Sequence, residues 1–87
     1  TPTLQLLDVR SPGELAVGGT IPGALNTPLP NLVETLATLD PAAPTVVFCA
    51  SGYRSSIAAS VFSAHGFTDV SDILGGYEAW RAAPVAT

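Results

Sequence analysis

Thr45-Val46-Val47-Phe48-Cys49-Ala50-Ser51-Gly52-Tyr53-Arg54-Ser55 is the stretch on which the fold turns. Its first half is β-branched and aromatic with no polar alternation, the pattern of a strand covered on both faces in a parallel sheet. Helical spacing takes over across residues 55–65, where Ile57, Val61 and Phe62 recur as an apolar stripe. The small Ala58, Ala59 and Ala64 of the same stretch permit close approach to a sheet. Gly66 is placed to end that helix in the left-handed conformation, with Phe67 folding back on Phe62. The order is therefore strand, thiol, tight loop, helix. Open parallel sheets gather strand-to-helix loops and helix N-termini at their carboxyl edge, so Cys49 is expected at the edge where such folds bind ligands.

Working outward, residues 4–9 form an apolar run closed by Arg10-Ser11-Pro12-Gly13, a buried strand ending in a turn. Pro12 suits the first turn of a brief helix through Glu14, Leu15 and Ala16, which Gly18-Gly19 break. Ala24-Leu25-Asn26 is long enough only for a minor strand, and Pro28 and Pro30 keep the adjoining residues extended. Asn31 is expected to cap a helix, with Glu34 completing a capping box, Leu32, Val33, Leu36 and Leu39 as its apolar stripe and Asp40-Pro41 as its end. Residues 70–74 read as another short strand. Gly75-Gly76 then lead into a last helix carrying Tyr77, Trp80 and Arg81. Strands alternating with helices predict an α/β fold, a doubly wound parallel sheet with helices on both faces, as one domain over residues 1–87. The Thr1-Pro2-Thr3 start and the small-residue tail look like linker ends, so a piece of a longer protein is expected.

Composition narrows the function. Of 87 residues 47% are hydrophobic and 11% charged, enough apolar material for one core. Seven acidic residues against three basic ones, all arginine, give a net charge of -4, which opposes binding to nucleic acid or to an anionic membrane. The absence of lysine removes the phosphate-loop lysine and the Schiff-base lysine. One cysteine and one histidine cannot supply an ordinary zinc site, so neither metal nor cofactor is expected. No apolar run approaches a membrane span. A soluble protein in a reducing, cytoplasmic compartment is the expectation.

The chemistry then concentrates on Cys49. The reactive form of cysteine is the thiolate, which helix N-termini, converging backbone amides and a nearby arginine all favour. Gly52 allows the loop of Ala50, Ser51, Gly52, Tyr53 and Arg54 to curl its amides around the sulfur as an anion nest. Arg54 adds a full positive charge, Ser51 and Ser55 offer hydroxyls, and Tyr53 is placed to project from the loop and shape the entrance. The competing reading is a cysteine buried as core filling, since free cysteine is among the most buried residue types. The Gly and Arg that come after it favour the reactive one.

Four motifs in order, Leu6-Leu7-Asp8-Val9-Arg10, Gly19-Thr20-Ile21-Pro22-Gly23-Ala24-Leu25-Asn26, Cys49-Ala50-Ser51-Gly52-Tyr53-Arg54-Ser55 and Leu74-Gly75-Gly76-Tyr77-Glu78-Ala79-Trp80, resemble those of rhodanese (sulfurtransferase) domains. The resemblance implies that Cys49 is the catalytic nucleophile: it takes a sulfane sulfur from thiosulfate or a persulfide, becomes a persulfide, and passes the sulfur to a thiol or to cyanide. It further implies that the loop amides and Arg54 hold the donor. The wording of the third and fourth motifs is most similar to rhodanese domains fused to metallo-β-lactamase-fold persulfide dioxygenases, so a fused or partner domain is expected. Thr20 stands where that family usually has histidine, and a structural consequence is expected there.

Two other readings stay open. Related folds use cysteine and arginine in phosphatases and arsenate reductases, which usually have five residues between the two where this chain has four. A non-enzymatic docking or redox-sensing module is the other. Of the remaining residues, Asp8 and Arg10 read as a structural ion pair beside the site, His65 as a helix-end residue far from Cys49, Tyr77 and Trp80 as a packing face, and Glu14 and Glu34 as helix-terminus charges.

Overall fold

The computed structural model describes residues 4–73 and 75–82, and Leu74 and the two termini lie outside the described residues. The elements in chain order are β1 (Gln5–Asp8), α1 (Pro12–Gly18), β2 (Leu25–Asn26), α2 (Leu32–Leu36), β3 (Thr45–Phe48), α3 (Tyr53–Ala64), β4 (Val70–Asp72) and α4 (Gly76–Ala82). The strands form one sheet in the order β2-β1-β3-β4, and every neighbouring pair is parallel. Leu7 stands beside Val47 and Asp8 beside Phe48, so β1 and β3 end together at one edge.

Alternation along β3 divides the core in two. Val47 packs on one face with Leu7, Val9, Leu32, Leu36, Ala58 and Phe62, beneath α2 and α3. Phe48 turns to the other face, where it meets Ile21 and Tyr77 of α4. The expected doubly wound sheet with helices on both faces is thus what the chain builds. Cys49, the residue after β3, returns by the same alternation to the α3 face and belongs to the larger cluster. The end of α3 has the expected geometry: Gly66 lies at φ +88, the Phe67 amide donates to the Phe62 carbonyl at 3.2 Å, and the two rings meet edge to face at 4.8 Å.

Four local expectations are corrected. Pro28 is extended, but Pro30 lies inside a 3-10 turn at Leu29–Asn31 that runs directly into α2. Asn31 consequently sits at φ -100 and ψ 4, its side chain caps nothing, and the box with Glu34 does not form. The box forms at α1, where the Ser11 side chain accepts from the Glu14 amide and Glu14 reaches back to the Ser11 amide. The helix α2 is also short, and Val33 is 62% exposed, leaving Leu32 and Leu36 as its buried contacts. Finally, α3 begins at Tyr53, two residues ahead of expectation, and its buried line is Ser55, Ala58 and Phe62, with Ile57 exposed. Small residues let α3 sit close on β3, which turns the bulkier Ile57 outward.

Candidate active site

Cys49 leaves β3 at its carboxyl end and the chain closes around the sulfur within three residues. Gly52 takes φ +112, a left-handed angle that other residues resist, and caps α3 with its backbone. The turn points two amides at one atom: Sγ of Cys49 accepts from the Gly52 amide at 3.1 Å and from the Ser55 amide at 3.3 Å. The Ser55 hydroxyl lies 3.7 Å from Sγ. Burial pushes the thiol's pKa up, but hydrogen bonds from the Ser55 amide and hydroxyl and from the Gly52 and Ser51 amides outweigh it and hold Cys49 below its ordinary value.

The sequence points to an exposed sulfur, and here the structure differs: Cys49 is only 1% exposed. The residue lies in the larger apolar cluster, yet the loop that follows it turns two amides onto its sulfur. Desolvation strengthens those hydrogen bonds.

The carbonyl side of the same loop is held from outside. The first amides of α4 donate to it, Tyr77 to the Cys49 carbonyl at 2.7 Å and Glu78 to the Ala50 carbonyl at 3.1 Å. With these carbonyls drawn toward α4, the loop's amides are left facing the sulfur. Gly76 makes the approach possible: at φ +66 a Cβ there would stand 2.7 Å from the Ala50 carbonyl oxygen. This is the structural content of the Gly75-Gly76-Tyr77 motif.

Asp8 and Arg10 form the expected ion pair at the end of β1. The carboxylate accepts from Arg10 Nη2 at 2.7 Å, from Arg10 Nε and the Arg10 amide at 3.0 Å, and from Thr20 Oγ1 at 2.6 Å. Thr20 therefore serves as a fixed hydroxyl donor to a buried acid. Burial raises the Asp8 pKa, and the hydrogen bonds from Arg10 and Thr20 override it and keep the group below 3.8. The guanidinium also donates to the Gly19 carbonyl at 2.7 Å and lies 4.2 Å over the Tyr77 ring, whose hydroxyl donates to the Gly18 carbonyl. Tyr77 and Trp80 stack at 5.6 Å as a packing face, yet Tyr77 in addition ties the loop after Cys49 to Arg10 and to the end of α1.

The sequence directs Arg54 toward the donor. In the structure its two terminal nitrogens grip Glu14, Nη1 to Oε1 at 2.6 Å and Nη2 to Oε2 at 2.9 Å, while the guanidinium also faces the Cys49 sulfur. Glu14, whose sequence context shows only a helix-terminus charge, thus reaches the active loop. The Arg54 bonds are the main cause that holds its carboxyl down at about 2. Tyr53 projects into solvent from the loop at 75% exposure, and His65 is bound to the Val61 carbonyl at the far end of α3. A cleft of about 570 Å³ opens beside the loop, lined by Arg10, Glu14, Val17, Ala50, Tyr77 and Arg81 among others. Among the described residues no cluster of three or more His, Cys, Asp or Glu side chains could hold a metal ion, and no helix is long and apolar enough to cross a membrane.

Loop amides thus converge on a cysteine at the carboxyl edge of a parallel sheet, with a buried Asp-Arg pair at the end of the neighbouring strand. The family model for the rhodanese-like domain matches residues 1–83, and the chain belongs to that family. It is 38% identical over 78 residues to thiosulfate sulfurtransferase GlpE of Pseudomonas aeruginosa, covering 90% of this chain and 70% of that protein. Among solved structures, a rhodanese-related protein from Thermoplasma volcanium superposes with a TM-score of 0.81 at 34% identity, covering 95% of this chain and 83% of that one. A Rhodopseudomonas palustris protein described as a possible tyrosine phosphatase superposes with a TM-score of 0.79 at 30% identity, covering 95% of this chain and 70% of that one.

Proposed function

We propose that this chain is a sulfurtransferase in which the Cys49 thiolate attacks the outer sulfur of a donor, thiosulfate or a persulfide. The donor's S–S bond breaks, its electron pair leaves with sulfite or a thiolate, and Cys49 becomes a persulfide. A thiol or cyanide then takes the outer sulfur and restores the thiolate. The observation that carries the reading is the pair of amides at 3.1 and 3.3 Å from Sγ, because an inert core cysteine needs no anion cradle. Relatives named as thiosulfate sulfurtransferases support it. In this reading Cys49 is the catalytic residue, the backbone of residues 50–53 binds the transferred sulfur, and Arg54 completes the rim. A lone thiol of this kind is best kept reduced in a cytoplasmic environment, and donor or acceptor delivery by a fused or partner domain fits a sulfur so well covered.

Incubation with thiosulfate or an organic persulfide should add about 32 Da, one sulfur on the cysteine oxidation ladder. Cyanide should remove it, and Cys49→Ser should never acquire it. A wild-type protein that takes up no sulfur from any sulfane donor overturns the reading.

A second reading, phosphatase chemistry, has the resemblance to the Rhodopseudomonas palustris structure in its favour. Against it, two amides already converge on the sulfur and Arg54 is bound to Glu14, which leaves little to hold three phosphoryl oxygens. Turnover of an aryl phosphate faster than sulfur transfer would reverse the order.

A further inference from the structure

We propose that Glu14 is a specificity-determining residue that sets the charge of the sulfur donor. By holding Arg54 in a two-point pair beside Cys49, it turns the site away from the thiosulfate dianion and toward small organic persulfides of low net negative charge. This rests on the sulfur-transfer reading above.

A dianionic donor needs cations, and this chain has three arginines and no lysine. Arg10 is 4% exposed and bound to Asp8. Arg54, the cation of the loop, has both terminal nitrogens on Glu14 and otherwise faces the Cys49 sulfur, so its charge is shared between a carboxylate and the thiol before any donor arrives. Arg10 and Arg81 line the cleft together with Glu14 and Glu78, so a dianion entering there meets as many carboxylates as guanidiniums, and Arg10 and Arg54 each already hold a carboxylate. Nor is Glu14 easily turned aside to release Arg54. Its Oε1 also accepts from the Ser11 amide at 3.1 Å and from the Ser11 hydroxyl at 3.2 Å, so the capping box of α1 locks the carboxylate in place.

The chemistry separates the donors in the same direction. A persulfide R–S–S⁻ gives R–S⁻ and Cys49–S–S⁻, so the leaving group carries one negative charge. Thiosulfate gives sulfite, a dianion released in a loop whose arginine is already paired with Glu14. The loop amides can hold the single charge on the transferred sulfur in either case, but only the second case requires an available cation.

The test compares kcat/KM for sulfur loading by thiosulfate and by the persulfides of 2-mercaptoethanol and cysteamine, the last a zwitterion. Each value is divided by the rate of the same donor with free cysteine. In the wild type the normalised order should be cysteamine persulfide first and thiosulfate last, separated by on the order of tenfold or more. Glu14→Gln keeps a side chain that a capping box accepts while removing the charge. It should raise the thiosulfate value on the order of tenfold and leave cysteamine persulfide within about threefold. A wild type that favours thiosulfate overturns the proposal, as does a Glu14→Gln enzyme whose thiosulfate value stays level or falls. Should that variant not fold, the wild-type order across the three donor charges decides alone. If no donor loads Cys49 at all, the sulfur-transfer reading itself has failed, which is a different outcome.

Discussion

Two arginine-carboxylate pairs flank the active loop, and they differ in nearly everything except chemistry. Asp8 and Arg10 lie two residues apart at the end of β1, with side chains 0% and 5% exposed. Glu14 and Arg54 come together from positions 40 residues apart, and both side chains are 34% exposed. The first pair has further partners on each side, Thr20 for the acid and Gly19 and Tyr77 for the base. In the second, Ser11 adds bonds to the acid and the Cys49 sulfur faces the base. A buried pair with every partner in place is part of the scaffold, since its charges have nowhere else to go. A half-exposed pair contributes little to folding, so its position beside the amide-cradled Cys49 sulfur calls for another explanation.

The largest effect should come from breaking the buried pair. Asp8→Asn leaves the Arg10 guanidinium in its buried place without a counter-charge, and should cost about 3 to 5 kcal/mol in urea unfolding. Against the roughly 5 kcal/mol at the low end of the range for small domains, that is enough to bring the variant near its unfolding midpoint at ambient temperature. A loss under about 1 kcal/mol would mean that the two pairs do not differ as their burial says. Removing one donor should cost less. Thr20→Val deletes the hydroxyl at 2.6 Å from Asp8 and nearly preserves shape, so about 1.5 to 3 kcal/mol is expected for a hydrogen bond to a charged group. The same variant should raise the pH at which acid unfolding sets in, because Asp8 loses one of the groups that hold its pKa below 3.8. The sign is set by linkage: a carboxyl with a lowered folded pKa stabilises above its unfolded value and loses that contribution as pH falls through the folded one.

The difference between the pairs also marks what the sequence can and cannot convey. The parallel sheet is legible because Thr45 to Phe48 carry no polar alternation, and the end of α3 because Gly66 and Phe67 stand in a spacing with one common geometry. The amide nest is legible from Gly52, which licenses a φ of +112. The Asp8-Arg10 pair is legible because neighbours two apart at a strand end have little choice of partner. Capping at α2 is misleading, since Asn31 and Glu34 have the right spacing but Pro30 begins a 3-10 turn that denies Asn31 a cap conformation. The role of Glu14 is hidden for a different reason: local patterns reveal a helix start, and its partner is set only when α1 and α3 are brought to one edge of the sheet. The covering of Cys49 is equally hidden, because it depends on α4 donating to two carbonyls of the loop.

The smallest stability effect should come from the pair that matters most to donor choice. Glu14→Gln should change unfolding free energy by less than about 1 kcal/mol at moderate salt, since a pair 34% exposed on each side is screened by water and ions. Its signature lies in acid. The Glu14 carboxyl is held at about 2 against an ordinary 4.5, so the wild type should lose this small contribution as pH falls from about 4.5 toward 2, and the variant should lack that part of the slope. High salt should shrink the difference, whereas the Asp8→Asn deficit should persist because the buried pair is shielded from ions. If Glu14→Gln instead destabilised the protein as strongly as Asp8→Asn, and salt left that loss intact, Glu14 would be scaffold like Asp8. Its hold on Arg54 would then be a condition of folding, and a shift in donor preference could no longer be assigned to charge alone.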